Sequence, residues 1–402
     1  MCKKWGELLR CSPGIMIKEI KISGLLSFGP KGVTLPLKAL NVLIGPNGSG
    51  KSNLLEMLAL LKAAPKNLSA PVNEMGGLRE WLWKGEGSAP DGKLIVVFST
   101  GSEKAKDKKD LRHRLIIAEK GGRFEVVSER ITSESPSQPG GWDIYRFESG
   151  SAVLVEGQKR RQLPWANFHP EESVISQIRD PERYPALTFL QENYADIRLF
   201  RNWSFGPHAA LRREQNTQGR NDFLADGGEN LALVFSNIQM RAKRQIMEAL
   251  RELYDGITDF HLPVQNGHVQ LFLEEEGGRQ IPATRLSDGT LRYLCLLAIL
   301  LHPEPPGLIA IEEPELGLHP DVLPYLGKLL VRASERTQLV VTTHSRMLVD
   351  ALSDQPEAVV VCEKMDGCSR FTRQSGAQLN EWLEKYTLGT LWSMGEIGGN
   401  RW

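Results

Sequence analysis

Ala39-Leu40-Asn41-Val42-Leu43-Ile44-Gly45-Pro46-Asn47-Gly48-Ser49-Gly50-Lys51-Ser52 is the stretch whose reading decides the fold. The apolar run before Gly45 reads as a short buried strand, and leucines with Met57 recur at helical spacing from Ser52 to Lys62. Strand, glycine loop and helix in that order make a phosphate cradle. Glycines let backbone N–H groups turn inward, and the helix start adds partial positive charge. Gly45 to Ser52 matches the P-loop pattern in full. Lys51 is expected to reach the β- and γ-phosphates and the Ser52 hydroxyl to ligate magnesium, so ATP and Mg2+ are the expected ligands. Gly45, Pro46, Asn47, Gly48, Ser49, Gly50, Lys51, Ser52 and Asn53 are the candidate nucleotide-binding residues.

A nucleotide site also needs a carboxylate to hold magnesium and another to activate water. Leu308-Ile309-Ala310-Ile311-Glu312-Glu313 is an apolar strand ending in two acids, with Glu312 in the metal-associated place and Glu313 where a general base belongs. Acids at a strand end also occur simply because they face solvent. Arg285-Leu286-Ser287-Asp288-Gly289-Thr290 precedes an apolar helical run, and a serine and a backbone glycine at a helix start form an anion site. Alone, that tetrad is a common helix cap. Gln338-Leu339-Val340-Val341-Thr342-Thr343-His344-Ser345 is a further buried strand ending at a histidine, a residue that is usually structural in such a place.

Taken in order, these segments resemble the ABC-type ATPase heads of the SMC, RecF and OLD group. There a carboxylate pair followed by Pro-Glu and then Leu-His-Pro is characteristic, as in Pro314-Glu315-Leu316-Gly317-Leu318-His319-Pro320. The resemblance implies an α/β P-loop NTPase fold with a mainly parallel central sheet, an N-terminal antiparallel β subdomain and a helical insertion. It makes Glu315 to His319 the D-loop at a dimer contact, Ser287, Asp288 and Gly289 the signature motif that meets nucleotide held by another subunit, and His344 a γ-phosphate sensor. Gln177, in Ser173-Val174-Ile175-Ser176-Gln177-Ile178, takes the Q-loop place. The sequence departs from the pattern at Gly24-Leu25-Leu26-Ser27-Phe28, where the family has Asn-Phe-Arg/Lys-Ser-Phe; Leu26 replaces the basic residue that often contacts nucleotide.

The rest of the chain bounds the reading. Its 402 residues, 41% hydrophobic and 24% charged, suffice for a large core, and 49 Lys plus Arg against 49 Asp plus Glu leave no global field to gather nucleic acid or anionic membrane. Five scattered cysteines form no disulfide framework and fit a reducing cytosol; Cys362 and Cys368 lack the second Cys/His pair a zinc site needs. No segment approaches about 18 uninterrupted apolar residues and no signal-peptide core is present, so the protein is read as cytoplasmic, neither secreted nor membrane-spanning.

Residues 1–15 read as an extension, 16–164 as the first part of the head, 165–258 as a mainly helical insertion and 259–402 as the second part of the head. Residues 16–23 and 33–38 read as an opening hairpin, 93–99 and 114–118 as strands, 133–142 as a loop, 188–200 as helix, and 268–274, 308–312, 338–343 and 358–362 as strands, with a helix over 288–301. No internal repeat and no heptad run long enough for a coiled coil is present, which argues against chromosome tethering. No acidic metal cluster of nuclease type follows His344, so a nuclease would be a separate chain.

The expected assembly is a homodimer or higher homo-oligomer sandwiching ATP between heads. Its expected role is to control a separate effector in an anti-phage or abortive-infection module, because Leu388-Gly389-Thr390-Leu391-Trp392 and the segment from Gly395 to Trp402 resemble the tail of such stand-alone ATPases. The runner-up is a RecF-like DNA repair ATPase gripping duplex through Lys104 to Arg114, Lys159-Arg160-Arg161 and Arg212-Arg213. A transporter ATPase subunit fits poorly, since the Glu-Glu-Pro-Glu pattern belongs to the SMC-like side.

Overall fold

The computed structural model describes residues 17–86, 90–100, 109–135, 138–148, 150–156, 159–164 and 169–399. Among them, β1 (Ile17–Ser23) and β2 (Val33–Pro36) form the opening antiparallel hairpin, and β3 (Leu40–Ile44) leads into α1 (Lys51–Ala63). Strands β4 (Asp91–Thr100), β5 (Lys109–Lys120), β6 (Arg123–Ser135), β7 (Gln138–Glu148), β8 (Ser151–Glu156) and β9 (Lys159–Leu163) follow as a meander. Next come α2 (Val174–Gln177), α3 (Pro185–Ala195), β10 (Ile197–Phe200), α4 (Leu231–Leu253), β11 (Ile257–His261), β12 (Phe272–Glu275) and β13 (Arg279–Pro282). The remainder holds α5 (Asp288–Leu300), β14 (Leu308–Glu312), α6 (Leu323–Ser334), β15 (Gln338–Thr342) and α7 (Arg346–Asp350). It ends with β16 (Val359–Met365), β17 (Cys368–Arg373), α8 (Gly376–Leu383) and α9 (Leu388–Met394).

The chain forms two compact units. One comprises the described residues up to Ile197 with Val360–Arg373 and those from Gly398; the other comprises Arg198–Val359 and Gln374–Ile397. In the first, eight antiparallel strands lie in the order β2-β1-β4-β5-β6-β7-β8-β9. Ile20, Ile22, Leu94, Val96, Phe98, Leu111, Leu115, Ile131, Tyr145 and Leu154 are buried on one face, as period-two alternation places them. Helix α3 packs there through Phe189 and Tyr194, whose rings lie 5.7 and 5.5 Å from Phe98. Helix α1 buries leucines around most of its circumference, as a core helix does.

A polar knot sits inside this apolar face. Glu129 on β6 accepts hydrogen bonds from the Ser173 hydroxyl and from Val174 N at 2.8 Å, which holds the start of α2. His113 on β5 spans Glu129 at 2.9 Å and the Tyr194 hydroxyl at 2.9 Å. Burial, reinforced by the Glu129 charge, pushes the Tyr194 hydroxyl well above its usual pKa.

In the second unit β14 and β15 run parallel, and every residue of the pair except Glu312 is buried. Continuous apolar strands of this kind belong to a sheet covered on both faces. Helix α5 is buried from Tyr293 to Leu300, and the Tyr293 hydroxyl donates to Ala249 O at 3.0 Å, fastening α5 to the long amphipathic α4. No helix among the described residues is long and apolar enough to cross a membrane.

Four local expectations change. Residues 133–142 are largely strand, with Ser133 opposite Trp142 and Ser135 opposite Gln138; their small polar side chains mark the end of a long hairpin arm rather than a break. The helix expected over 188–200 stops at Ala195, and Ile197–Phe200 is strand, because a four-residue apolar run carries no period that separates the two. The strand expected over 268–274 is two: Val269 pairs with Gln215 and Val264, and Phe272 with His261 and Pro282. Within 165–258, α2 and α3 fall in the first unit and α4 in the second, with strand and irregular chain between them.

Glu129→Ala leaves His113, the Ser173 hydroxyl and Val174 N without their buried partner. The expected cost is about 3–5 kcal/mol, read as a lower urea midpoint at unchanged slope; a midpoint equal to wild type would show that the knot contributes nothing.

Candidate functional site

The P-loop lies in the first unit, where β3, β16 and β17 are neighbours. Strand β3 ends at Ile44, and the chain turns through Gly45 at φ 141°, where a Cβ would come within 2.1 Å of the Cys362 carbonyl oxygen. Gly50, at φ 101°, caps α1, and a Cβ there would meet the Ser369 hydroxyl at 2.1 Å. Both positions therefore require glycine.

Two residues outside the motif brace this turn. The Ser369 hydroxyl donates to Ser49 O at 2.7 Å and bonds the Ser27 hydroxyl at 2.6 Å, which in turn accepts from Asn53 Nδ2 at 2.6 Å. Sequence reading placed Asn53 beside the nucleotide; its amide here ties the start of α1 to the Leu26–Ser27 turn. Lys51 is 6% exposed, and its Nζ donates to Gly45 O at 2.7 Å and Pro46 O at 3.1 Å. Burial pushes the neighbouring Cys362 thiol far up, against the pull of the Lys51 charge. The Ser49 hydroxyl is buried without a hydrogen-bond partner, the kind of orphan that a phosphate oxygen satisfies. Pro46, Asn47 and Gly48 line the exposed lip of the loop, and Ser52 is exposed on the first turn of α1. These features fit an anionic phosphate group.

Gln177 closes α2 and folds back on its own turn. Its Nε2 donates to the carbonyls of His169, Glu172 and Ser173, and its Oε1 accepts from His169 N at 2.9 Å. Both ends of the amide are engaged locally in this structure.

The acids, the histidine and the signature loop lie in the second unit. The parallel register sets Glu312 opposite Thr342, and Arg201 Nε lies 3.1 Å from Glu312 Oε2. Glu313 stands just past the strand with φ 45°, a left-handed backbone that costs a non-glycine residue roughly 1–3 kcal/mol. Its N–H donates to Thr342 O at 3.0 Å, and its carbonyl accepts from Arg292 Nη2 at 3.3 Å. Its Oε1 lies 3.5 Å from His344 Nε2. Glu315 turns inward, where its Oε1 accepts from the Thr343 hydroxyl at 2.6 Å and from His344 N at 2.8 Å. The Arg292 guanidinium sits over the rings of Trp203 and Phe205; burial lowers its pKa, while the charges of Glu315 and Glu313 hold it up.

Ser287 caps α5, its hydroxyl accepting from Thr290 N at 3.0 Å, and Ser287 and Asp288 are exposed. Gly289 lies so close to Gly317 that a Cβ would come 2.4 Å from the Gly317 carbonyl oxygen. Arg212, 6% exposed, donates to the carbonyls of Phe205, Ala283, Thr284 and Leu286 and pairs with Asp288. The exposed Asp288 is thereby tied to the buried Arg212, and Ser287 and Gly289 present the helix start. Leu316 and His319, on either side of Gly317 in sequence, are exposed, and His319 caps the turn that follows.

The structure thus brings Glu313 to His344, and Gly289 to Gly317. Sequence reasoning missed Ser27 and Ser369 behind the P-loop and Arg201 and Arg292 around the acids, and it read Arg212 as a surface cation where it holds the loop before α5. Ser27 was visible as part of the departing Gly24–Phe28 segment; the arginines stand in irregular chain or on a helix and carry no motif.

If Lys51 makes a charge-assisted contact to phosphate, worth about 1.5–3 kcal/mol, Lys51→Ala should weaken nucleotide binding about 10- to 100-fold. Titration with a fluorescent ATP analogue measures it, and wild-type affinity would rule out the assignment.

The family model described as "AAA domain, putative AbiEii toxin, Type IV TA system" matches residues 40–350. The DNA replication and repair protein RecF of Xanthomonas euvesicatoria pv. vesicatoria (strain 85-10) is 29% identical over 154 residues, 36% of this chain and 37% of the relative. RecF of Xanthomonas oryzae pv. oryzae (strain MAFF 311018) is 29% identical over 148 residues, 35% of this chain and 37% of the relative. The chain thus spans little more than a third of the length of the curated relatives it matches. The crystal structure of an SmcHead bound to the C-winged helix domain of ScpA superposes with a TM-score of 0.54 at 16% identity, covering 90% of this chain and 99% of that one. The Smc head domain with an extended coiled coil bound to the C-terminal domain of ScpA, derived from Pyrococcus furiosus, gives 0.52 at 14% identity, with coverage of 92% and 99%. These two likenesses concern the fold.

Proposed function

We propose that this chain, which belongs to the AAA-domain family matched over residues 40–350 and is an ATPase of the SMC/RecF-like class, uses ATP as a switch that closes two copies of itself and thereby controls a separate effector. The observation that carries the reading is the exposed start of α5. Ser287 and Gly289 are held in place from behind by Arg212 and Gly317, and their outward groups are set to receive an anion brought by another subunit. The family description, with its toxin and type IV toxin–antitoxin system, favours anti-phage defence as the setting. The free thiols Cys295, Cys362 and Cys368 suit a cytosolic protein.

The roles follow from the chemistry of each group. Lys51 neutralises charge on the β- and γ-phosphates, and the P-loop amides orient them. Ser52, and separately the Glu312 carboxylate, would hold magnesium, which would add charge neutralisation for the phosphates. Glu313 accepts the proton of the attacking water, and His344 meets the γ-phosphate. The left-handed backbone at Glu313 sets the direction of its Cα–Cβ bond, and the carboxylate then lies 3.5 Å from His344. Ser287 and Gly289 act in trans, so binding closes the pair and hydrolysis reopens it.

Glu313→Gln should lower the hydrolysis rate about 100-fold or more while nucleotide stays bound, and should accumulate an ATP-dependent dimer by light scattering. A wild-type rate would remove Glu313 from the role of base. Co-purification with the product of a neighbouring gene, unaffected by DNA, would support the effector.

A second reading, DNA repair, is favoured by one feature of the eight-stranded sheet. Its register sets Lys21, Ile95, Arg114, Arg130 and Arg146 in one cross-strand row on the face opposite the core. Lys93 is lowered in pKa by burial and by the charges of Arg114 and Lys21, so like charges crowd this face. Glu134 and Asp143 offset part of it through Arg112 and Arg130. The patch expected at Arg212-Arg213 is corrected: Arg212 is buried and committed to the signature loop. Residues 104–108 of the first patch lie outside the described residues, and Arg160 and Arg161 are exposed on β9. If duplex DNA lies along this row, Arg114→Glu with Arg146→Glu should abolish DNA stimulation of the ATPase. Loss of two phosphate contacts should also flatten the salt slope of binding by about 2; unchanged DNA binding would dispose of the row as an interface.

A further inference from the structure

The carboxyl-terminal segment Leu388-Gly389-Thr390-Leu391-Trp392 takes no part in the chemistry above, yet it is built onto the helix that follows His344. Helix α7 begins at Arg346, is capped by Ser345, and is only five residues long, too short to hold itself. Helix α6 supports one side, where a Cβ on Gly327 would come 2.5 Å from Ala351 Cβ. Helix α9 holds it by a set of directed polar contacts. Gly389 N donates to Asp350 Oδ1 at 2.8 Å, Arg346 Nη2 donates to the Thr390 hydroxyl at 2.8 Å, and Leu388 N donates to the Ser353 hydroxyl at 2.9 Å. Leu388, Gly389, Leu391 and Trp392 are buried.

Gly389 is the closest point of approach. A Cβ there would stand 2.5 Å from Arg346 O and 2.6 Å from Asp350 Oδ1, so any side chain forces α9 away from α7. Upstream, His344 is fixed by Glu315, which accepts from its N–H at 2.8 Å. Downstream, its placement depends on where α7 starts. The 3.5 Å separation between His344 Nε2 and Glu313 Oε1 is thus set from both sides.

We propose that Gly389, Thr390 and Asp350 are positioning residues: α9 is a latch that holds α7, and through it His344, in register with Glu313. The proposal rests on the reading of His344 as the residue that meets the γ-phosphate. A displacement of about 1 Å of a group that meets the reacting phosphate is enough to cost up to about 100-fold in rate, while the P-loop that binds ATP is untouched.

The test compares Gly389→Ala, Thr390→Val and Asp350→Asn, the last keeping the oxygen that accepts from Gly389. Alanine is a better helix former than glycine, so Gly389→Ala strains the contact and not the helix. Gly389→Ala should lower kcat about tenfold or more with KM for ATP unchanged, Thr390→Val should lower it less, and Asp350→Asn should stay near wild type. In a His344→Ala background Gly389→Ala should add no further loss, because both act through one side chain. A full additional loss in that background overturns the latch while leaving His344 its role. A His344→Ala protein with wild-type hydrolysis overturns the underlying reading instead. Equal falls in KM and kcat effects across all three variants, with a lowered melting temperature, would make α9 a general stabiliser and also overturn the proposal.

Discussion

Much of the second unit depends on the parallel pairing of Leu308–Glu312 with Gln338–Thr342. Because Glu312 stands opposite Thr342, the residue after each strand leaves the sheet at the same edge. Pairing persists one step further on one side only: Glu313 N–H still reaches Thr342 O, and to do so the backbone turns left-handed. That turn sends the Glu313 carboxylate toward His344 and frees the chain for the Glu315 contact to Thr343 and His344. A one-residue slip would invert every side chain on the strand and scatter all four groups.

The strand-loop-helix around Gly45 to Ser52 was legible because the glycines carry their own geometric reason, visible as close contacts with Cys362 and Ser369. The parallel strands and α5 were legible because they are continuous apolar runs of distinct length. What sequence could not supply was partnership across hundreds of residues. Ser369 touches Ser27 at a separation of 342 positions, and Arg212 reaches carbonyls more than seventy residues downstream. Arg212 even reads as a surface cation until its burial is seen. The polar tip at 133–142 misled for a related reason, since long antiparallel arms continue through Ser and Gly when the neighbouring strand supplies the hydrogen bonds.

Arginines recur here as scaffolding, Arg212 buried and Arg292 half-buried. Arg212 gathers the carbonyls of an irregular loop that has no ladder to satisfy them, and Arg292 braces Glu313 from its carbonyl side while lying on Trp203 and Phe205. The planar, always-charged fork suits this use better than lysine, which would offer a single point of contact. The exposed start of α5 at Ser287 and Asp288 therefore owes its placement to an arginine that is itself buried.

The β16–β17 hairpin has a consequence for the order in which the protein becomes competent. Cys362 and Ser369, which enclose the glycine turn, are made some three hundred residues after it. Long-range closure of this kind is slow to form. During synthesis the glycine loop emerges early but lacks its back wall until the hairpin has left the ribosome. The loop is therefore shaped for ATP only after the hairpin has been made, and a fragment ending before it carries the motif without the means to shape it.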